Sequence, residues 1–191
     1  MKKSAFRILS TGLLFSGLFL WEAQTQAGRS SSEVNFSATF VAGTCDITVS
    51  PENITWGSVP SARIRQAGEA GTEPHTLTIR YQNCNGYGIT PRLIITGDTI
   101  QKGIPLFTRT NNTGAENAGG YGVRLVALSN KDIALDDNAS IYVGIPGNQL
   151  SALEQTPTEF RASLSCGKQC MDSSLHGGAF AATVTFRFFY E

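Results

Sequence analysis

The final fourteen residues, Gly178 to Glu191 (GAFAATVTFRFFYE), constrain the fold more than any other stretch. Every second residue gives Gly178, Phe180, Ala182, Val184, Phe186, Phe188 and Tyr190, while Thr183, Thr185 and Arg187 fall between them. Successive side chains of a β-strand point to opposite faces, so this period of two predicts one continuous apolar face and one mainly solvated face. The predicted strand runs about eleven residues, longer than the usual five or six, and Phe189 makes its outer face partly apolar. A strand this apolar calls for a neighbour on both sides, and no segment follows it to supply the second one.

At the other end, Lys2, Lys3 and Arg7 precede an apolar run from Ile8 to Trp21, followed by small residues at Thr25-Gln26-Ala27. A charged, then apolar, then small-residue order is that of a secretory signal peptide, and the apolar part is short for a bilayer span. Residues 1–27 are therefore expected to be removed; cleavage after Ala23 would lengthen the N-terminus slightly. Losing Lys2, Lys3, Arg7 and Glu22 turns a net charge of zero into a slight acidic excess. No basic block survives, which argues against nucleic acid or anionic membrane surfaces as partners. About 160 residues remain, the size of one domain.

Export makes disulfides permissible. The cysteines are Cys45, Cys84, Cys166 and Cys170. Four cysteines allow three pairings and sequence alone does not choose among them; the consecutive pairing, Cys45 with Cys84 and Cys166 with Cys170, is the expected one.

Gly28 to Glu33 (GRSSSE) is small and polar, with no core of its own. Val34, Phe36, Ala38 and Phe40 then alternate with polar residues, and Cys45 to Val49 forms a second run that Pro51 closes. Ile54, Trp56 and Val59 make a short apolar piece ending at Pro60, and Arg63 to Glu73 reads as a loop. His75 to Cys84 alternates cleanly and ends in turn residues. Further strand signals cover Arg92–Thr96, a short edge piece at Ile104–Phe107, Tyr121–Leu128, Ile141–Ile145 and Phe160–Cys166, with room for one helical turn at most in Gly147–Gln155. Nine or ten strand signals at short spacing, with no amphipathic helix of useful length, predict an antiparallel β-sandwich of immunoglobulin-like architecture.

Several marks along the chain point further. They are Val34-Asn35-Phe36 opening the first strand, Thr44-Cys45, Cys84 at a strand end, Gly120-Tyr121-Gly122-Val123, Phe160-Arg161-Ala162, and a closing strand with Gly178 fourteenth from the end and Tyr190 next to last. In this order, behind a signal peptide, the chain resembles a type 1-like fimbrial pilin subunit of the bacterial chaperone–usher pathway. The resemblance implies an all-β, incomplete immunoglobulin-like antiparallel sandwich that lacks its final strand and is completed by a donor strand from another chain. Leaving about five apolar side chains wet in the resulting groove would cost on the order of 10 kcal/mol, comparable with the whole stability of a domain. A lent strand repairs this with backbone hydrogen bonds and alternate side chains in pockets.

The resemblance also implies the partners: a periplasmic pilus chaperone, an outer-membrane usher and neighbouring pilin subunits, with a host-surface receptor reached through the assembled fibre. It assigns residues 1–27 to the signal peptide, 28–36 to an N-terminal extension that serves as donor strand, and 37–191 to the pilin domain. Gly178, Phe180, Ala182, Val184, Phe186, Phe188, Tyr190 and Glu191 become the chaperone and usher recognition strand, and Val34 and Phe36 the bulky donor residues. The donor register Gly28, Ser30, Ser32, Val34, Phe36 departs from the family pattern, because three of its five positions are Gly or Ser. A poor donor with a normal acceptor groove suits a minor or terminal subunit. A tip adhesin would carry an extra lectin domain, for which the length leaves no room.

Other chemistries are weaker. His75 and His176 with Cys166 and Cys170 form a conceivable zinc set, but an oxidising compartment favours a local disulfide. Asp172 and His176 lack a Gly-x-Ser-x-Gly elbow or a His-Glu-x-x-His run to make an enzyme. Asp136-Asp137 reads as a decorated turn, and Gly119-Gly120-Tyr121-Gly122 lacks the strand-to-helix setting of a phosphate loop. No enzyme activity and no cofactor are expected. The alternative reading is an exported β-sandwich binding module that recognises a glycan or host protein through aromatics such as Tyr87, Tyr121 or Tyr142 without polymerising. Either way the protein is expected outside the cytoplasm, in the first reading at the cell-surface fimbrium by way of the periplasm.

Overall fold

The computed structural model of the chain describes residues 37, 43–109, 116–129 and 132–191. Two units are distinguished along the chain, Met1–Ala38 and Thr39–Glu191. The signal segment, the extension 28–36 with Val34 and Phe36, and most of the first predicted strand lie outside the described residues.

Among the described residues, nine strands form two antiparallel sheets. They are β1 (Gly43–Ser50), β2 (Thr72–Gly86), β3 (Pro91–Thr96), β4 (Thr99–Gln101), β5 (Pro105–Phe107), β6 (Gly122–Ala127), β7 (Ala139–Tyr142), β8 (Thr158–Ser165) and β9 (Thr185–Tyr190). The larger sheet runs β1-β2-β8-β6-β5-β4 and the smaller β7-β3-β9. Alternation places Ile79, Leu125 and Phe160 of the large sheet against Leu93 and Ile95 of the small one, and all five are fully buried. This is an all-β sandwich in which the inner faces of two sheets make one core.

Four readings of the sequence need correction. Residues 63–73, read as a loop, hold the helix α1 (Ser61–Ala67) and a 3-10 turn (Gly68–Ala70). One residue of α1, Ile64, is buried, so its sequence carries no apolar period. Contacts made elsewhere hold it: the Arg65 guanidinium donates to the Leu175 carbonyl at 3.1 Å and to the Tyr121 hydroxyl at 3.3 Å. The piece ending at Phe107 is no edge, because β5 pairs with β6 and with β4, a strand of three residues too short to show alternation. Residues 147–155 hold a six-residue 3-10 segment, Leu150–Gln155, about two turns rather than one. The closing strand pairs over six residues instead of eleven, since its partner β3 ends at Thr96. Strand β6 differs in burial, being covered on both faces. Arg124 faces outward yet is covered by the loop after Leu128, where it donates to the Asp132 carbonyl and Leu135 bonds back to Leu125 at 2.8 Å.

The two disulfides join Cys45 to Cys84 and Cys166 to Cys170. The first ties β1 to β2 beside a register shift between Thr44 and Asp46. The second closes a tight turn that Lys102 braces: its carbonyl accepts from the Lys168 amide at 2.7 Å and its ammonium meets Asp172 at 2.8 Å. The Lys102 hydrogen bond holds the Asp172 carboxyl down at about 2.

Because a bridge stabilises chiefly by restricting the unfolded chain, the wider loop carries the larger effect. Replacing Cys45 and Cys84 by alanine is expected to lower unfolding free energy by about 4 kcal/mol, and replacing Cys166 and Cys170 by about half as much. Urea unfolding of the two double variants measures both, and equal losses would contradict the ordering.

Candidate functional site

Among the described residues, strands β1 and β9 each end a sheet, and both carry an inner row that is half-buried. In β1 the row is Cys45, Ile47 and Val49; in β9 it is Phe186, Phe188 and Tyr190. The inner residues of the neighbouring β3, Leu93 and Ile95, are by contrast completely covered. Upstream of β9, Phe180, Ala182 and Val184 continue the same row and are also half-buried. Across from them, Ile54 and Trp56 point inward with Thr55 outward, so the strap that follows β1 has strand-like alternation without a strand partner among the described residues.

Between these walls runs a groove in two adjoining parts. One, about 550 Å³, is flanked by Ile47, Val49, Val184 and Phe186 and floored by Leu77 and Leu125 of the large sheet. The other, about 650 Å³, is lined by Val59, Ile64, Tyr121, Leu164 and Phe180. Ile54, Trp56 and Ala182 border both parts. From Phe180 to Phe186 the wall extends about 20 Å at the rise of a β-strand. Segments 52–59 and 180–184 make no backbone hydrogen bond among the described residues, and the far edge of β9 has no strand partner among them. An apolar floor flanked by unpaired extended backbone is the geometry that accepts an added strand.

One end of the groove is closed. The Tyr190 hydroxyl donates to the Gly43 carbonyl, tying the last strand to the first. Phe188 packs against Tyr190 at 6.1 Å between ring centres and against Tyr81 at 5.9 Å. Burial pushes the Tyr81 phenol up to about 12, and its hydroxyl sits 2.7 Å from that of Thr158, so it remains neutral and packs as an aromatic. The terminal residue is held too: Thr90 donates its amide to the Glu191 carbonyl at 2.8 Å, and the Glu191 carboxylate pairs with Arg92 at 2.6 Å.

At the other end, Gly178 runs against the backbone of Glu116 and Asn117. A Cβ at this position would lie 2.4 Å from the Glu116 carbonyl oxygen, so only glycine fits. Hydrogen bonds from Ala179 to Glu116 and from Ala118 to Ala179, both 2.8 Å, fix the segment there.

The structure thus places every residue named for the recognition strand, Gly178 through Glu191, along one wall of this groove and its closed end. Val34 and Phe36 lie outside the described residues. Cys166 and Cys170 are joined to each other, which leaves the conceivable zinc set without a thiolate. Asp136 accepts from Thr99 and Gln101, both at 2.8 Å, and Asp137 from the Gly97 amide at 3.0 Å, so this acidic pair pins the β3–β4 turn. Sequence reasoning did not assign Ile54, Trp56, Val59 and Ile64 to the site. The signal was the alternation of Ile54 and Trp56, too brief to read as a wall. Trp56 is set by a hydrogen bond from Nε1 to the Glu73 carbonyl at 2.8 Å and an edge contact with His75 at 5.5 Å.

No curated protein matches the sequence. A family model described as fimbrial protein matches residues 34–191, from the start of the first predicted strand through the whole sandwich to the last residue of the clamped terminus. With the match covering most of the chain, and the half-buried rows and groove lying inside it, the chain belongs to the fimbrial protein family.

Proposed function

We propose that this subunit polymerises by donor-strand exchange: its groove accepts a strand from another chain, and its own extension, residues 28–36, is lent to the next subunit. Family membership makes the protein a structural subunit of a surface appendage that contacts other pilin subunits. The observation that carries the further step is the pair of facing, half-buried apolar rows on β1 and on Phe180–Phe188, flanked by extended backbone that is unpaired among the described residues. A strand laid between them would bond to both walls and cover both rows at once, which no ligand without an extended backbone would do.

In this reading a periplasmic chaperone lends the first strand and contacts the Gly178–Glu191 segment, an outer-membrane usher receives the complex, and a neighbouring pilin extension replaces the chaperone strand. Residues 1–27 direct export, and the route runs through the periplasm to the fimbrium, where the assembled fibre supports cell adhesion. The donor row Gly28, Ser30, Ser32, Val34, Phe36 offers two bulky side chains to a neighbour, which supports a minor rather than a major place in the fibre. The role is structural, without catalysis.

Fusing a donor peptide with alternating bulky apolar residues behind Glu191, through a flexible linker, is expected to stabilise the exported chain by several kcal/mol. The apolar burial available, on the order of 10 kcal/mol, is an upper bound because the unfolded chain already hides some surface. Equal urea midpoints for fused and unfused chains would sink the proposal. Tyr190→Ala removes the bond to Gly43 and the packing of Phe188, so the variant is expected to be lost from the periplasm when expressed without a fused donor. Wild-type periplasmic yield would show that this end of the strand plays no part in capture.

A further inference from the structure

We propose that the end of the sandwich where β1 begins is a second contact surface, one that docks against the body of the subunit receiving this chain's N-terminal extension. The inference rests on the donor-strand reading and adds to it a contact between folded bodies. Four of the large apolar side chains left exposed cluster at this end: Tyr87 at 74%, Ile145 at 69%, Tyr142 at 66% and Phe189 at 44%. Tyr142 and Phe189 flank Arg92 across the small sheet, with the guanidinium 6.0 Å and 5.5 Å from the two ring centres. Beside them a cleft of about 250 Å³ is lined by Pro91, Val143, Leu150 and Leu153, with Ile145 on its rim. The β2–β3 turn that carries Tyr87 joins the same surface, since the Gly147 amide donates to the Ile89 carbonyl at 3.1 Å.

Chain connectivity names the occupant. Gly43, the first residue of β1, lies against this surface: a Cβ there would stand 2.9 Å from Leu150, a wall of the cleft, and 2.8 Å from Ile89. Only residues 37–42 separate Gly43 from Phe36, the last residue of the extension. Even fully stretched they span about 25 Å, so a body that holds Phe36 in its groove must sit close to this end. The largely apolar cleft offers a seat for apolar side chains of that neighbour, and the exposed aromatics and Arg92 lie beside it. Patches of exposed large apolar side chains mark contact surfaces in soluble domains, and this one lies where the neighbour has to be.

Hydroxyl-radical footprinting tests the contact by comparing assembled fibres containing the full chain with the subunit complemented by a free donor peptide, which fills the groove without bringing a neighbour. Oxidation at Tyr87, Tyr142, Ile145 and Phe189 is expected to fall severalfold in fibres, while Met171, 92% exposed and outside this surface, stays unchanged. Ile145→Asp is expected to leave the unfolding midpoint of the peptide-complemented subunit unchanged and to give fewer and shorter fibres. Equal oxidation of the four residues in both states, or wild-type fibre number and length for Ile145→Asp, would overturn the inference and leave donor-strand exchange intact. Failure of the wild-type chain to enter any fibre would overturn both.

Discussion

Ile47 and Val49 of β1 face Val184 and Phe186 of the closing segment across a groove in which none of the four is fully buried. Most other features follow from that arrangement. A two-sheet sandwich buries the inner face of every strand with neighbours on both sides, as Leu93 and Ile95 show. Among the described residues each sheet stops at β1 or β9, where the facing rows are only half-buried and the adjoining segments 52–59 and 180–184 make no backbone hydrogen bond. Both costs fall on the same edge, so one extended segment is enough to remove them together.

The frame around this edge is held firmly where the walls meet. The Cys45–Cys84 bridge fixes the start of β1 to the end of β2, Tyr190 ties β9 to Gly43, and Arg92 and Thr90 hold Glu191. Away from this corner each wall is anchored at one short stretch. Trp56 hangs from the Glu73 carbonyl, and Gly178 fits against Glu116 because it has no side chain. Between the two anchors Thr183 passes over Gly97, where a Cβ would lie 2.5 Å from the Thr183 carbonyl oxygen. On the donor-strand reading, a corner held by several bonds would set the position of an added strand at one end, and walls anchored only at short stretches would leave room to admit it.

The same corner gathers the exposed aromatics, the Arg92–Glu191 pair and the point where the chain enters the domain. On the donor-strand reading proposed above, a groove that accepts a strand and an extension that lends one would give the molecule two unlike sides. Contacts between unlike patches generate open chains rather than closed dimers, which accords with a subunit of an extended appendage.

Much of this was legible in the residues. The period of two in Phe180–Tyr190, in His75–Cys84 and in Phe160–Leu164 is a local property, since each strand's inner and outer faces are written in adjacent positions. Helix α1 and strand β4 escaped because each is too short for a period and is stabilised by distant partners, Leu175 and Tyr121 for one and β5 for the other. By itself, then, the sequence determined that the fold is an antiparallel sandwich closed by an alternating apolar strand. Only the tertiary structure decided which elements oppose that strand, how far it pairs before β3 runs out, and that Ile54, Trp56 and Ile64 complete the groove. Alternation says which way a side chain points, whereas what it meets depends on segments over a hundred residues away.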